Sequence, residues 1–245
     1  MTPLPTRHYA IIIPACNEEP CLAPVMQELQ ETLGDGPHLI AVGVNGSSDR
    51  TAEIARECGA LVAEVAELGY GHGCKAAVDL VARTMTVDGY LFFAADGAND
   101  PRDIAALLAE RDRGAQLALG CRTRTRNNYR LGNLHYVIAN RFFGALCGVL
   151  TGRFFADLGP LRYIERDLFH RMQLRELTYG WTIEAQIRAV LLGARITEVP
   201  VLERARLAGE QKVSYVSTRQ TVVIALKIIA AAWRARDPRR YPAPV

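Results

Sequence analysis

Residues 9–19 read YAIIIPACNEE, and this stretch decides the fold. Tyr9 to Ile13 is a short apolar run closed by Pro14. An apolar run with no polar alternation is what a strand buried on both faces requires. Asn17-Glu18-Glu19 then opens a helical pattern over about 18–33, which stops near Gly34 and Gly36. The unit repeats. Leu39 to Val44 is a second apolar strand. It ends in Asn45-Gly46-Ser47-Ser48-Asp49, a turn that also caps a helix from Thr51 to Cys58. A third strand over Leu61 to Val65, a glycine-rich loop over Gly69, Gly71 and Gly73, a helix from Cys74 to Thr84 and a fourth strand from Tyr90 to Ala94 follow. Helix and strand continue through Gly120. Strands alternating with helices predict an α/β fold, a mostly parallel sheet flanked by helices. Ligands of such sheets bind beyond the carboxyl ends of the strands. Asn17 to Glu19, Asn45 to Asp49 and Asp96 to Asp100 all fall there, so three polar loops are expected to share one crevice.

The composition fits an ordinary globular chain. Of 245 residues, 49% are hydrophobic and 22% charged, which excludes disordered, collagen-like and coiled-coil classes. The net charge is +3, which argues against a dedicated nucleic-acid binder. The charge is unevenly spread, however. Residues 113–156 hold seven Arg and no acid, and residues 202–245 hold nine basic residues against three acids, which leaves −10 for the remainder. Basic segments gather where phosphates or anionic membranes bind, and the competing reading is solvated surface. The six cysteines form no C-x-x-C or metal-type spacing, so small buried thiols are expected. With no signal-peptide pattern and no spanning apolar stretch, the expectation is a cytoplasmic chain.

Individual motifs leave alternatives open. Gly69-Tyr-Gly-His-Gly73 suits either a diphosphate cradle, with Lys75 reaching a phosphate, or a plain turn. Asp96, directly after a buried strand, is placed to hold a divalent cation, with help from Asn99 and Asp100. Asp100 before Pro101 equally suits a helix cap, the preferred reading there.

Taken in order, IIIPACNEE, VNGSSDRTAEIA, LGYGHGCKAA, FFAADGANDP, DLGPLRYIERD, YGWTIEAQIRA, ARITEVPV and QKVS resemble the family 2 inverting glycosyltransferases of the GT-A fold. The branch resembled is the dolichyl- and polyprenyl-phosphate sugar transferases and their bacterial DLGP/YGWT relatives, over about Tyr9 to Ser217. The resemblance implies a transferase domain over 1–217, with 218–245 as a basic amphipathic helix and tail. It implies that Pro14, Ala15, Asn17 and Glu18 line the nucleotide, with Glu18 near the ribose. Asn45, Gly46 and Ser47 stand at the family's V-D-D-G-S turn, where Asn45 keeps a carbonyl acceptor but loses the charge. Gly73, Lys75, Ala95 and Asp96 complete the donor side. The family's D-x-D metal motif is here Ala94-Ala95-Asp96, so its first acid is missing and one carboxylate remains for Mg²⁺ or Mn²⁺. Arg122 matches a G-x-R and Lys212 an S-K-x-S segment, and both are expected to stabilise the leaving diphosphate. Arg124, Arg126 and Arg130 follow in the same loop, the first two read as solvated charges.

On the acceptor side, Glu184 or Asp157 is a candidate general base for a hydroxyl acceptor. A lipid phosphate is already anionic and needs none. Glu184 competes with a structural role at its helix start, and Trp181 either stacks on a sugar or fills the core. Val222, Leu226, Ile229 and Trp233 form one helical stripe with basic residues alongside, and Phe142 to Leu150 is a second apolar helical stretch. Such helices lie on a membrane, pack on the domain or form a homodimer seam. The expected function is hexose transfer from a UDP- or GDP-linked sugar to a polyprenyl phosphate, with a peripheral position on the inner face of the membrane. The alternatives are a small soluble hydroxyl acceptor and a degenerate nucleotide-sugar binding protein.

Overall fold

The computed structural model describes residues 8–36, 38–125, 134–208 and 218–241. In chain order the elements are β1 (Tyr9–Ala15), α1 (Glu19–Leu33), β2 (His38–Asn45), α2 (Thr51–Glu57), β3 (Leu61–Val65), α3 (Tyr70–Thr84), β4 (Gly89–Phe92), α4 (Ile104–Asp112), β5 (Leu117–Cys121), α5 (Leu134–Thr151), β6 (Arg162–Glu165), α6 (Arg166–Met172), α7 (Trp181–Leu191), β7 (Ile196–Pro200) and α8 (Thr218–Arg236). One seven-stranded sheet runs β3-β2-β1-β4-β6-β5-β7. Its strands pair in parallel except at β6, which runs antiparallel to both β4 and β5.

β1 lies inside the sheet between β2 and β4, and both of its faces are covered. Ala10 and Ile12 join Tyr90 and Phe92 in a core shared with α3, α7 and α8. Tyr9, Ile11 and Ile13 join Val42 and Val44 in a second core, under α1 and α4. Successive side chains alternate between faces, which explains an apolar run with no polar position. Pro14 is tolerated because β4 pairs only with Tyr9 to Ile12, so its missing N–H falls past that ladder.

Residues 69–73 depart from the expected loop. Helix α3 begins at Tyr70, and its glycines serve close packing. A Cβ on Gly73 would lie 2.7 Å from the Gly43 carbonyl oxygen, and one on Gly71 would lie 2.7 Å from Trp181. Cys74 follows, fully buried.

The C-terminal helix is part of the same core. Ala231, Ala232 and Ala235 of α8 are fully buried, and a Cβ on Gly180 would strike Ala231. Tyr241, beyond the helix, donates its hydroxyl to Glu184. Among the described residues no helix is long and apolar enough to cross a membrane.

Candidate active site

The first two polar loops interlock. The Asn17 N–H donates to Ser47 Oγ at 2.9 Å, and the Ser48 N–H returns to Asn17 Oδ1 at 2.8 Å. Glu18 N–H donates to Thr51 Oγ1, and Glu19 N–H to Asp49 Oδ2. Burial pushes the Asp49 carboxyl up, but hydrogen bonds from Thr51 and Glu19 outweigh it and hold the group below its ordinary value. Asn17 itself has φ 51°, the left-handed conformation that asparagine accepts most readily after glycine.

Asn45 staples three elements. Its amide donates to the Ala15 carbonyl, and its Oδ1 accepts from the Gly69 N–H, both at 3.0 Å. Its carbonyl is thus already engaged inside the protein, and one lone pair remains for a base. Gly46, at φ 57°, turns the chain here, as the sequence implied.

The third loop carries Asp96. Its Oδ1 accepts from the Ala98 N–H at 3.0 Å. Asn99 accepts from the Ala94 N–H, and Asp100 caps the following turn by accepting from Arg102 N–H. Capping is therefore the role of Asp100, and the Arg102 hydrogen bond lowers its carboxyl pKa.

Residues 201–208, a strap after β7, cross this loop. The Leu207 N–H donates to the Asp96 carbonyl, and Arg204 N–H to that of Ala98. Arg204 also pairs with Glu28 and reaches the Asn99 carbonyl at 2.7 Å. Leu207 seats on Gly97, where a Cβ would come within 2.4 Å of it. Arg206 points inward, with its side chain 11% exposed. It binds the Glu18 carboxylate and lies 3.6 Å from Asp96 Oδ2. The three loops thus meet as expected, and Arg206 sits among them. The sequence reading missed Arg206. Its only signal was a run of charges, Glu203-Arg-Ala-Arg206, after a strand.

Several residues expected on the donor side are packed or paired inside the protein. The Ala15 and Ala95 side chains belong to the core under α1 and α4, and Pro14 is buried in its strand. Gly73 packs against β2 inside a helix. Lys75 pairs with Asp79 one turn along at 2.8 Å. Lys212, like Arg126 and Arg130, lies outside the described residues.

Arg122 and Asp157 form a buried unit. Asp157 accepts from the backbone N–H, Nε and Nη2 of Arg122 at 2.8–2.9 Å, while Arg122 Nη1 reaches Glu203 at 3.0 Å. Arg122 is 5% exposed and Asp157 2%. Expected as a phosphate ligand and a base, both are engaged with protein partners that tie the β5 end to the strap. Arg124, read as solvated, pairs with Glu198 at 2.9 Å.

Glu184 is fully buried. Its oxygens accept from the N–H groups of Arg175 and Glu176 and from the Tyr241 hydroxyl. All of these are internal partners, so the structural role weighed against catalysis is the one the geometry gives. Trp181 likewise fills the core, 1% exposed and 4.8 Å from the Phe92 ring. Arg162, at the end of the DLGPLR segment that the resemblance places on the acceptor side, is wholly buried against Trp181 and donates to the Gly159 and Thr182 carbonyls.

A divalent ion finds few ligands here. Among the described residues no three His, Cys, Asp or Glu side chains gather as a cation site. Asp96 stands alone beside Ala94, and a guanidinium faces it. In this arrangement the residues do not fit a bound ion.

An α/β sheet with interlocked polar loops at the carboxyl ends of its parallel strands has the architecture of the GT-A fold. A family model, Glycosyl transferase family 2, matches residues 10–176. The chain is 33% identical over 213 residues to a dolichyl-phosphate hexose transferase of Haloferax volcanii, covering 83% of this chain and 85% of that one. It is 26% identical over 237 residues to a dodecaprenyl-phosphate galacturonate synthase of Rhizobium johnstonii, covering 93% and 68%. Its fold matches glucosyl-3-phosphoglycerate synthase of Mycobacterium tuberculosis, solved with Mn²⁺, UDP and phosphoglyceric acid, at a TM-score of 0.71 and 20% identity, covering 94% and 78%. The chain belongs to glycosyltransferase family 2 and is a glycosyltransferase.

Proposed function

We propose that the chain transfers a hexose from a UDP- or GDP-linked sugar to a polyprenyl phosphate at a membrane surface, with inversion at the anomeric carbon. A phosphate oxygen of the acceptor attacks C1 from the face opposite the diphosphate. The new C1–O bond forms as the bond to the diphosphate breaks, and the leaving nucleoside diphosphate takes the electron pair. No proton need be removed, because the attacking oxygen is already anionic.

The observation that carries the reading is the fate of the two candidate bases. Asp157 is spent on Arg122, and Glu184 on backbone N–H groups and Tyr241. A hydroxyl acceptor would need one of them, and a phosphate acceptor needs neither. The two relatives named for polyprenyl-type phosphates support the same choice.

The membrane side has its own support. Helices α5 and α8 pack together. Ile138, Phe142 and Val149 of α5, and Val222, Leu226 and Trp233 of α8, are each more than half exposed. The core takes the alanine face of α8, so Val222, Leu226 and Trp233 of the predicted stripe point outward, while Ile229 is half-buried. Arg141, Lys227 and Arg236 flank the stripe, which suits an anionic lipid surface.

A donor panel of UDP- and GDP-hexoses, assayed with polyprenyl phosphate in vesicles and with soluble hydroxyl and phosphate acceptors, tests the proposal. Transfer to the lipid phosphate alone is expected. Transfer only to a soluble hydroxyl would overturn the acceptor, and donor binding without transfer to any acceptor would mark a binding protein.

A further inference from the structure

We propose that Arg206 is the resident cation of the donor crevice, so that a divalent ion gains Asp96 only by displacing it. The inference is independent of the lipid acceptor. It rests on Asp96 being the carboxylate that an ion would use.

Glu18 and Asp96 come from loops after different strands, yet one guanidinium serves both. At 7% exposure, Glu18 has little water to screen it. Two carboxylates in one crevice, the Glu18 side chain buried and the Asp96 side chain 26% exposed, repel one another, and a positive charge between them offsets the repulsion. Where the family has a second acid for a metal, this chain has Ala94. With one carboxylate fewer, a single guanidinium offsets half of the negative charge, leaving about −1 from these three groups.

The strap holds Arg206 in place by contacts of its own. The Arg206 Nε donates to the Ala208 carbonyl at 2.6 Å, and that carbonyl also accepts the Cys21 thiol at 3.1 Å. Arg204 clamps to Glu28 and Leu207 packs on Gly97. Divalent-ion entry is therefore coupled to movement of the strap. The ion takes Asp96, and the guanidinium must leave it.

The competition predicts a gain of binding on removing a charge, which loss of structure does not produce. Mn²⁺ binding to the full chain, without nucleotide, is read by the electron paramagnetic resonance of free Mn²⁺. Arg206→Gln should bind Mn²⁺ about tenfold more tightly than the wild type. Arg206→Lys, which keeps the charge, should stay near the wild-type value. Arg204→Gln loosens the strap without touching Asp96 and should also stay near it. Hydrogen exchange of residues 203–208 should rise when Mn²⁺ saturates the wild type. Unchanged or weaker Mn²⁺ binding by Arg206→Gln would overturn the competition. Equal tightening by Arg204→Gln would overturn the charge argument in favour of strap loosening. Asp96→Asn should abolish the gain in the Arg206→Gln background. Persistence of the gain there would instead remove Asp96 as the ion's carboxylate.

Discussion

Burial raises the Glu184 carboxyl above its ordinary value, although hydrogen bonds from Tyr241, Glu176 and Arg175 pull the other way. The folded chain therefore holds a proton at pH values where the unfolded chain has released it. Stability from this group is full below the unfolded value near 4.5 and is lost as pH rises through the raised folded one. Glu184→Gln has no such titration. Its amide oxygen can still accept from the two N–H groups, and its NH₂ can donate to Tyr241. Thermal melts across pH 4 to 8 should show the wild type losing ground to the Gln variant as pH rises, and parallel curves would refute the burial argument. Turnover per folded molecule should stay within about threefold, whereas loss of a general base costs about 10²–10⁴. Asp157 makes the opposite case, a carboxylate whose removal strands a charge. Asp157→Ala leaves the 5%-exposed Arg122 still paired with the Glu203 carboxylate. Urea melts should record a loss of about 3–5 kcal/mol, the usual cost of breaking a buried pair on one side. A loss below about 1 kcal/mol would mean that Glu203 alone suffices.

At the scale of elements, the approach of α3 to β2 is set by Gly43 and Gly73. A Cβ on Gly43 would lie 1.9 Å from the Gly73 carbonyl oxygen. Both parties are backbone in regular elements, so neither can swing aside. Gly43→Ala should cost about 3 kcal/mol or more in denaturant melts. Gly59→Ala is the control: φ is +78° there, but nothing lies within 4 Å, so only the backbone penalty of about 1 kcal/mol applies. Equal costs at the two sites would refute the close-packing account. The same glycines show where the sequence could be read and where it could not. β1 and β2 were legible because strands buried on both faces leave an unbroken apolar signature, and the half-buried edge strand β3 by its short apolar run around Glu64. The start of α3 was not, since Gly69, Gly71 and Gly73 look like a loop to any local rule. Only the carbonyl of a distant strand and the ring of Trp181 explain them. The loops after β1, β2 and β4 were legible as a crevice, because topology alone brings strand ends together. Arg206 was not, being 188 positions from its Glu18 partner. Nor was the commitment of Glu184 to Tyr241, which closes the chain's last described turn onto α7.

Across the whole molecule, charge and apolar surface are sorted between two regions. The acid-rich portion supplies the crevice loops with Glu18, Asp49 and Asp96. The basic segments supply α5, the strap and α8. Arg122 and Arg206 turn inward to balance acids, while among the described residues Arg141 of α5 and Lys227 and Arg236 of α8 stay exposed beside the apolar side chains of these helices. A membrane face formed this way should respond to two independent changes. Phe142 and Trp233 are 55% and 57% exposed, so Phe142→Ser and Trp233→Ser remove apolar contact area while the alanine face of α8 keeps its place in the core. Burying a large apolar side chain in lipid contributes about 1.5–3 kcal/mol, and even half of that would lower vesicle binding about fivefold for each variant. Raising NaCl from 0.05 to 0.5 M screens the basic flank and should weaken binding to anionic vesicles further. Co-sedimentation with vesicles of anionic and of neutral phospholipid checks both effects, with circular dichroism confirming the fold of each variant. Binding that falls with salt but ignores both serine variants would assign the contact to charge alone. A concentration-dependent shift from dimer to monomer in the variants, with vesicle binding absent throughout, would assign the exposed stripe to a second copy of the chain.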